Sequence, residues 1–201
     1  MANITALTAQ GTVHGLDSGP GNVLLDLWCE RHTGQTYDAD GRWAAQGKVH
    51  TELLQHLLNE PYFHQTGIKS TGRDLFNPHW LEQRLQGYTQ TRPVDVQATL
   101  VALTARSITR ALQAQAWGGQ WPKEVLVCGG GAYNACLMAA LQQALPQSQV
   151  LSTAARGWPV MQVEAAAFAW LAQRAMEGLP GNEPQVTGAS GPRVLGAIYP
   201  A

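Results

Sequence analysis

Residues 14–28 read HGLDSGPGNVLLDLW, and this stretch decides the fold class of the chain. The segment Val13–Leu16 is extended in character, and the turn Asp17–Asn22 that follows it contains two glycines and a proline. Apolar residues then recur at helical spacing between Leu24 and Trp28. The sequence therefore predicts a strand, a glycine-rich turn and a helix in direct succession, as in α/β proteins.

The segments on either side of this unit differ in the regularity of their sequence patterns. Ile4–Leu7 predicts a strand that forms a hairpin with Val13–Leu16. Residues 34–94 are punctuated by Gly, Pro, Asn, Asp and His, and only Val49–Leu58 has the pattern of an amphipathic helix. We interpret residues 34–94 as an insertion of helices and loops on a regular core, not as a separate domain.

The regular pattern returns at Asp95, which is predicted to be the N-cap of a long helix with apolar residues on one face. The later predicted elements are a buried strand at Glu124–Cys128, a helix at Tyr133–Leu145, a strand at Gln149–Ser152, a helix at Val160–Met176 and surface coil from Pro180 onward. Because strands alternate with helices, we expect an α/β layer fold with a largely parallel second half.

The composition excludes several classes of protein. Hydrophobic residues make up 45% of the 201 residues, charged residues 13%, and the formal net charge is -1, so neither a disordered chain nor a nucleic-acid binder is expected. The three cysteines and six histidines show no metal-ligand spacing. With no secretory signal and no run long enough to span a bilayer, we expect a cytoplasmic protein that does not enter membranes.

Asp17 is the first candidate for chemistry. A carboxylate at the end of a strand, before glycines and a helix start, lies where open α/β sheets bind ligands. Gly19 and Gly21 would let a ligand approach the backbone, and amides at a helix start favour anions. The pattern leaves an equal alternative, in which Asp17 caps the turn and the glycines only fit its shape.

The segment CGGGAYN at Cys128–Asn134 is a stronger signal. Three consecutive glycines remove every side chain at the predicted strand end, at an entropic cost. We favour a ligand against this bare backbone, with close packing of helix on sheet as the alternative.

The segment KSTGRD at Lys69–Asp74 has the composition of a phosphate-binding loop. It lacks the Gly-x-x-x-x-Gly-Lys-Ser/Thr pattern, so we exclude a P-loop. Its two cations and two hydroxyls suit a polar ligand or another part of the protein, and a solvated loop is an equal alternative.

Glu164 interrupts an apolar stretch of the predicted helix Val160–Met176. Burying a carboxylate costs free energy unless it meets water, a ligand or a partner, although the helix dipole offsets part of the cost in the first turns. We favour a functional role for Glu164 over simple charge placement at a helix start.

Several short segments share one resemblance. They are Gly15–Asn22, Tyr37–Gly41, Lys69–Arg73, Cys128–Ala132, Val163–Ala165, Ala167–Ala172, Gly181–Asn182 and Leu195–Pro200. Together they resemble the anhydro-N-acetylmuramic acid kinase family, in the family's order and over almost the whole chain.

The resemblance implies a fold and a reaction. Residues 1–201 would be a C-terminal RNase H-like lobe of the actin, hexokinase and sugar kinase class, with the insertion at about 34–94. The family uses ATP and Mg²⁺ to open the 1,6-anhydro ring of anhydro-N-acetylmuramic acid, giving the 6-phosphate in cell-wall sugar recycling.

The resemblance also implies roles for individual residues. Asp17 would be the base that activates water for attack on C1 of the sugar, and Glu164 a second active-site carboxylate. The residues expected at the nucleotide are Gly19, Gly21, Asn22, Gly129, Gly130 and Gly131. Those expected at the sugar are Lys69, Ser70, Thr71 and Arg73. The magnesium ligands stay unassigned.

The sequence departs from the family in length. Family members are nearly twice as long and begin with a Gly-x-Met-Ser-Gly-Thr-Ser phosphate loop, which this sequence lacks. We therefore expect a fragment or one half of a split enzyme, without the first core strand of its lobe, that needs an N-terminal lobe or a complementary chain. A homodimer is also left open. The alternatives are a non-catalytic remnant or sugar-binding module, or another sugar or carboxylate kinase.

Overall fold

A computed structural model describes residues 1–115 and 121–199 of the chain. Pro200, the last residue of the final matching segment, lies outside the described residues. In chain order the strands and helices are β1 (Ala2–Leu7), β2 (Val13–Gly19), α1 (Val23–Thr33), α2 (Thr51–Leu58), α3 (Pro78–Arg84), α4 (Pro93–Gln113), β3 (Glu124–Val127), α5 (Ala135–Ala144), β4 (Gln149–Ser152), α6 (Val163–Met176) and α7 (Pro184–Thr187).

The predicted mixture of strands and helices is confirmed, in two small sheets. Strands β1 and β2 form the expected antiparallel hairpin, with Leu7 opposite Val13 and Asn3 opposite Asp17. Strands β3 and β4 pair in parallel, as the alternation of strands and helices predicts. Among the described residues, the two pairs of strands are not hydrogen-bonded to each other.

Helix α4 lies at the centre of the fold and packs against α1, α2, α5 and the β1–β2 hairpin. The prediction that Asp95 is its N-cap is wrong, because Arg92 is the N-cap and Pro93 occupies the first turn, where its missing N–H costs nothing. Asp95 instead accepts hydrogen bonds from the Arg92 side chain and the Lys48 backbone, which hold its pKa at about 2.

Residues 34–94 share the hydrophobic core with α1 and α4. Helix α2 buries four leucines, and Phe76 and Trp80 form ring contacts beside them. Helix α3 was not predicted from the sequence, although Asn77 followed by Pro78 is a strong helix-start signal. The Asn77 side chain accepts a hydrogen bond from the Trp80 amide, as an N-cap should.

The second half of the chain is more exposed than its sequence predicts. The predicted burial of the Glu124–Cys128 strand is wrong, since residues alternate between exposed and half-buried along β3 and Leu126 is 43% exposed. Helix α6 has no buried residue, and Phe168 and Trp170 are exposed on it. Both predictions assumed that apolar residues would be covered. In the described part of the chain, Leu126 of β3 and Phe168 and Trp170 of α6 remain exposed to solvent.

The segment from Pro180 onward is mostly irregular, as predicted, with one short helix. Helix α7 rests on β2, where a Cβ at Gly15 would lie 2.3 Å from Cγ1 of Val186. Across residues 1–115 and 121–199, every helix is too short or too polar to cross a bilayer.

A partly buried ion pair ties α3 to the segment that follows α2. The Glu60 carboxylate accepts hydrogen bonds from Trp80 Nε1 at 2.8 Å and from Arg84 Nη2 at 2.7 Å. Burial raises the pKa of Glu60, but these hydrogen bonds and the Arg84 charge outweigh it, so the pKa is lowered below its ordinary value of 4.5. The charged form of Glu60 therefore stabilises the fold.

Glu60→Gln is expected to lower the free energy of unfolding at pH 7 by about 2 kcal/mol, because two hydrogen bonds to a charged group are weakened. A lowered folded pKa contributes stability fully above the unfolded pKa and loses it as the pH falls through the folded pKa. The difference between wild type and variant should therefore shrink as the pH is lowered below 4.5. Urea unfolding curves at several pH values measure it.

Glu82→Gln is the matched control for this prediction, since Glu82 pairs with Arg31 while both side chains are substantially exposed. Exposed pairs contribute about 0–1 kcal/mol, so this variant should unfold nearly as the wild type does. Equal stability of Glu60→Gln and wild type at pH 7 would contradict the role given to Glu60.

Candidate active site

Asp17 lies within β2, two residues before the strand ends at Gly19. The sequence placed it in the turn, so this detail of the prediction is wrong. The reason is that β2 continues pairing with β1 past Leu16, up to the contact between Gly19 and Ala2. Asp17 is half-buried, and its side chain projects from a hydrogen-bonded strand, where its position is better defined than in a turn.

The Asp17 carboxylate accepts three hydrogen bonds, one from strand β1 and two from the Lys69–Arg73 loop. Asn3 Nδ2 donates to Oδ1 from the neighbouring strand β1. Ser70 Oγ donates to Oδ2 at 3.0 Å, and the backbone N–H of Thr71 donates to the same oxygen at 2.9 Å. The structure thus brings together Asp17 and the Lys69–Arg73 loop, which the sequence identified separately.

The backbone of Asp17 is held by the same segment. Its N–H donates to the carbonyl oxygen of Lys69 at 3.0 Å, so the loop adds to the free edge of β2. Its carbonyl oxygen accepts from the Tyr62 hydroxyl at 2.7 Å. The ammonium group of Lys69 donates to the Tyr62 carbonyl oxygen at 3.0 Å and lies over the Tyr62 ring.

Sequence reasoning missed Asn3 and Tyr62 as members of this site. Asn3 could have been found from the hairpin register, because the pairing that sets Leu7 opposite Val13 also sets Asn3 opposite Asp17. Tyr62 carried no such signal, since its contact with Asp17 joins residues 45 positions apart.

A second group of predicted residues meets at the start of α1. Asn22 precedes this helix, and its side chain makes no capping hydrogen bond to it. Instead it lies against the glycine segment, where a Cβ at Gly130 would be 3.4 Å from Asn22 Nδ2 and one at Gly131 would be 3.5 Å from Asn22 Oδ1. Two of the predicted nucleotide-binding segments are therefore neighbours.

Packing explains the glycines of the first segment. A Cβ at Gly19 would lie 2.9 Å from Cε1 of Phe63, and one at Gly21 would lie 2.8 Å from the Met1 carbonyl carbon. Gly21 also has φ of 56°, which disfavours other residues. The alternative that these glycines fit the shape of the turn is thus supported by their contacts.

The Gly129–Gly131 segment differs from the first glycine segment, because there is free space beside the backbone at Gly129 and Gly130. A Cβ at Gly129 would meet no atom within 4 Å, and one at Gly130 would meet only Asn22. Close packing of helix on sheet therefore does not account for the glycine at 130. A short 3₁₀ turn, Gly130–Tyr133, separates this segment from α5, which begins at Ala135 and not at Tyr133 as predicted.

Arg73 lies at the other end of the loop that holds Asp17. It is exposed, and its charge acts on Asp26 in the first turn of α1. Burial raises the pKa of Asp26, while the N-terminal amino group and Arg73 lower it in part. The loop therefore extends from the Asp17 carboxylate toward the start of α1, where Asn22 and the glycine segment meet.

Glu164 is not brought to this site by the described contacts. It is exposed at the start of α6, and its side chain makes no hydrogen bond or ion pair with any described residue. The expectation that it is buried in an apolar helix is wrong, because no residue of that helix is buried. Within residues 1–115 and 121–199, no group of three or more His, Cys, Asp or Glu side chains could hold a metal ion.

Comparison with known proteins identifies the relatives of this chain. The profile of the family described as "Anhydro-N-acetylmuramic acid kinase" matches residues 1–201. Proteins of that name are similar to it: one from Bordetella petrii is 54% identical over 204 residues, covering all of this chain and 53% of the relative. Those from Albidiferax ferrireducens and Pseudomonas paraeruginosa are 54% and 51% identical, covering 94% and 100% of this chain.

The alignments cover nearly all of this chain but only about half of each relative. This chain spans about half the length of the curated relatives it matches, 48% to 54% for the three proteins named above. The match nevertheless includes both groups of site residues, those around Asp17 and those around Asn22. The chain belongs to the anhydro-N-acetylmuramic acid kinase family.

Proposed function

We propose that this chain supplies the catalytic base of an enzyme that converts 1,6-anhydro-N-acetylmuramic acid, ATP and water to N-acetylmuramic acid 6-phosphate and ADP. The observation that carries the proposal is the environment of Asp17. A carboxylate offers about four lone-pair directions. Hydrogen bonds from Asn3, Ser70 and Thr71 occupy three of them, which fixes the orientation and leaves one for a water molecule.

The reaction assigned to this carboxylate is general base catalysis. As the oxygen of water forms a bond to C1, its proton passes to Asp17, and the C1–O6 bond breaks with its electron pair leaving on O6. O6 then forms a bond to the γ-phosphorus of ATP, and the bond from that phosphorus to ADP breaks. Correct placement of the water is therefore the contribution of this part of the chain.

The nucleotide is proposed to lie at the start of α1, against Asn22 and Gly129–Gly131, with Gly19 and Gly21 shaping the turn. Three features support this: the first turn of α1 has no side-chain cap, Asn22 faces the glycines, and the backbone at Gly129 is open. Mg²⁺, which neutralises phosphate charge, takes its ligands mainly from phosphates and water, so the lack of a multi-residue metal cluster in the described part is compatible with it.

The sugar is proposed to lie between Asp17 and the Lys69–Arg73 loop. Ser70 is exposed and bonded to the carboxylate, Arg73 is exposed at the far end of the same loop, and Thr71 Oγ1 is buried without a hydrogen-bond partner among the described residues. Lys69 would contribute chiefly through its backbone, since its ammonium group already bonds to Tyr62. Glu164 is proposed as a second carboxylate that reaches the site only in the complete enzyme.

A further part of the enzyme is proposed to cover the exposed apolar surface. The accessible surface is 11681 Å², whereas a folded monomer of 21.7 kDa exposes about 9,200 Å². The excess, roughly 2,500 Å², exceeds the 800 Å² or so that one partner buries in a standard interface. An additional strand joining β1 to β3 would unite the two sheets as in an RNase H-like lobe, and a second lobe would complete the cleft.

The proposal is tested by reconstitution. The chain is assayed with ATP and 1,6-anhydro-N-acetylmuramic acid alone, and after mixing with the portion of the Bordetella petrii kinase that it does not match. We expect turnover in the mixture to exceed that of either part alone at least tenfold, because the proposed cleft needs both parts. ADP release and formation of the 6-phosphate by mass spectrometry are the two readouts.

The outcomes separate the proposed function from its alternatives. If the two parts form a complex that binds the sugar but produces no 6-phosphate, this chain is a binding module and the catalytic proposal is wrong. If the complex phosphorylates a different sugar in preference, the substrate is wrong while the kinase assignment stands. Full activity of the chain alone would overturn the need for a second part.

A further inference from the structure

Three residues form a closed ring of hydrogen bonds around the candidate base. The Asp17 N–H donates to the Lys69 carbonyl, the Lys69 ammonium donates to the Tyr62 carbonyl, and the Tyr62 hydroxyl donates to the Asp17 carbonyl. The donor–acceptor distances are 3.0, 3.0 and 2.7 Å. The peptide groups on either side of Asp17 are thus held by the segment that follows α2.

Tyr62 is itself fixed by packing. It is buried, with ring contacts to Phe63 and Phe76 at centroid distances of 6.2 and 5.8 Å. Burial and the Asp17 charge raise the pKa of the Tyr62 hydroxyl to about 12, so the hydroxyl stays a donor at physiological pH. A tyrosine placed this way can hold a carbonyl group without moving itself.

We propose that Tyr62 is a positioning residue for catalysis: by binding the Asp17 carbonyl, it fixes the direction in which the Asp17 carboxylate presents its free lone pair to water. The proposal rests on the proposed function of Asp17 and deepens it. Tyr62 does not reach the reacting atoms and acts through the Asp17 backbone.

The physical reason lies in the coupling of backbone and side chain. A small rotation of the Asp17 backbone would swing the carboxylate away from Ser70 and from the attacking water. Misplacement of a catalytic group by about 1 Å can lower a rate a hundredfold. The hydrogen bonds to the carboxylate oppose only part of this rotation, because two of the three, from Ser70 and Asn3, come from exposed side chains and only the third comes from the Thr71 backbone. The buried Tyr62 hydroxyl supplies a contact that water does not readily replace.

The test is Tyr62→Phe, which keeps the ring contacts and removes only the hydroxyl. In the reconstituted enzyme we expect kcat to fall about tenfold, because the free energy of roughly one hydrogen bond no longer holds Asp17 in place. KM for ATP and for the sugar should be unchanged. Tyr88→Phe is the matched control, because the Tyr88 hydroxyl makes no hydrogen bond among the described residues. It should leave kcat and KM unchanged.

A second measurement does not depend on activity. Hydrogen exchange of the Asp17 amide, followed by NMR on the chain itself, should be at least about threefold faster in Tyr62→Phe than in wild type and in Tyr88→Phe, because opening the ring frees the Asp17 N–H. Faster exchange together with lower kcat at constant KM supports the proposal. Unchanged exchange, or a rise in KM without a fall in kcat, overturns it.

These readouts also separate this inference from the proposed function. If the reconstituted wild type forms no 6-phosphate but the exchange result is as expected, the proposed reaction falls while the hold of Tyr62 on Asp17 stands. If the wild type is active and both Phe variants match it in kcat, Tyr62 is not a positioning residue.

Discussion

Asp17→Asn is expected to lower kcat of the reconstituted enzyme about a thousandfold, within the range that general base catalysis contributes. The carboxamide cannot take the proton from the attacking water. ATP affinity should be unchanged, because the proposed nucleotide contacts lie at Asn22 and Gly129–Gly131. Steady-state assays of 6-phosphate formation give kcat, and titration calorimetry gives the nucleotide affinity.

The variant should retain its fold, because most of the hydrogen bonds around position 17 survive. The Asn oxygen can still accept from Ser70 and from the Thr71 amide. Its NH₂ group would face the NH₂ group of Asn3, so one donor loses its acceptor. Because Asn3 is exposed, water can replace that acceptor, and the thermal midpoint should change little.

Asp40→Asn is the matched control for this substitution. Asp40 is an exposed carboxylate with φ of 57°, a backbone conformation that Asn tolerates well, and its partner Arg42 is also exposed. It should keep wild-type kcat. If Asp17→Asn turns over at a rate near that of Asp40→Asn, Asp17 is not the base, whatever its contacts.

Local sequence pattern was enough to predict the secondary-structure elements around Asp17. The hairpin, α1 and the parallel pair β3–β4 follow from periodicity and turn residues, because these features are set by neighbours in sequence. The register of the hairpin also determines that Asn3 faces Asp17. The place of the Lys69–Arg73 loop beside Asp17 does not follow from local pattern, since Ser70 and Asp17 are 53 positions apart and meet only through the packing of the residues between them.

Burial was the other quantity that sequence could not supply. The apolar run in β3 and the alanine-rich helix α6 read as core, yet Leu126 and Phe168 are exposed. An apolar sequence indicates that burial of its side chains would be favourable, but it does not indicate which part of the protein buries them. The same limit explains Glu164, whose predicted burial required a covered helix.

Phe76→Ala is expected to lower the free energy of unfolding by about 4 kcal/mol and the thermal midpoint by roughly 10 °C. The Phe76 ring is fully buried, stacked on Phe63 and in edge contact with Tyr62 and Trp80. Removing it leaves a cavity that these large rings cannot fill without leaving their contacts. Calorimetric unfolding of the chain measures the effect.

Phe168→Ala separates this prediction from a general sensitivity to loss of aromatic area. Phe168 is 66% exposed on α6, so its replacement should leave the stability of the chain nearly unchanged. Because Tyr62 packs on Phe76, the Phe76 variant should also lose kcat at temperatures where it is still folded, whereas Phe168→Ala should weaken only association with the second part. Equal stability of Phe76→Ala and wild type would mean that the aromatic cluster does not hold Tyr62 in place. The claim that core packing positions the Asp17 carboxylate through Tyr62 would then be wrong.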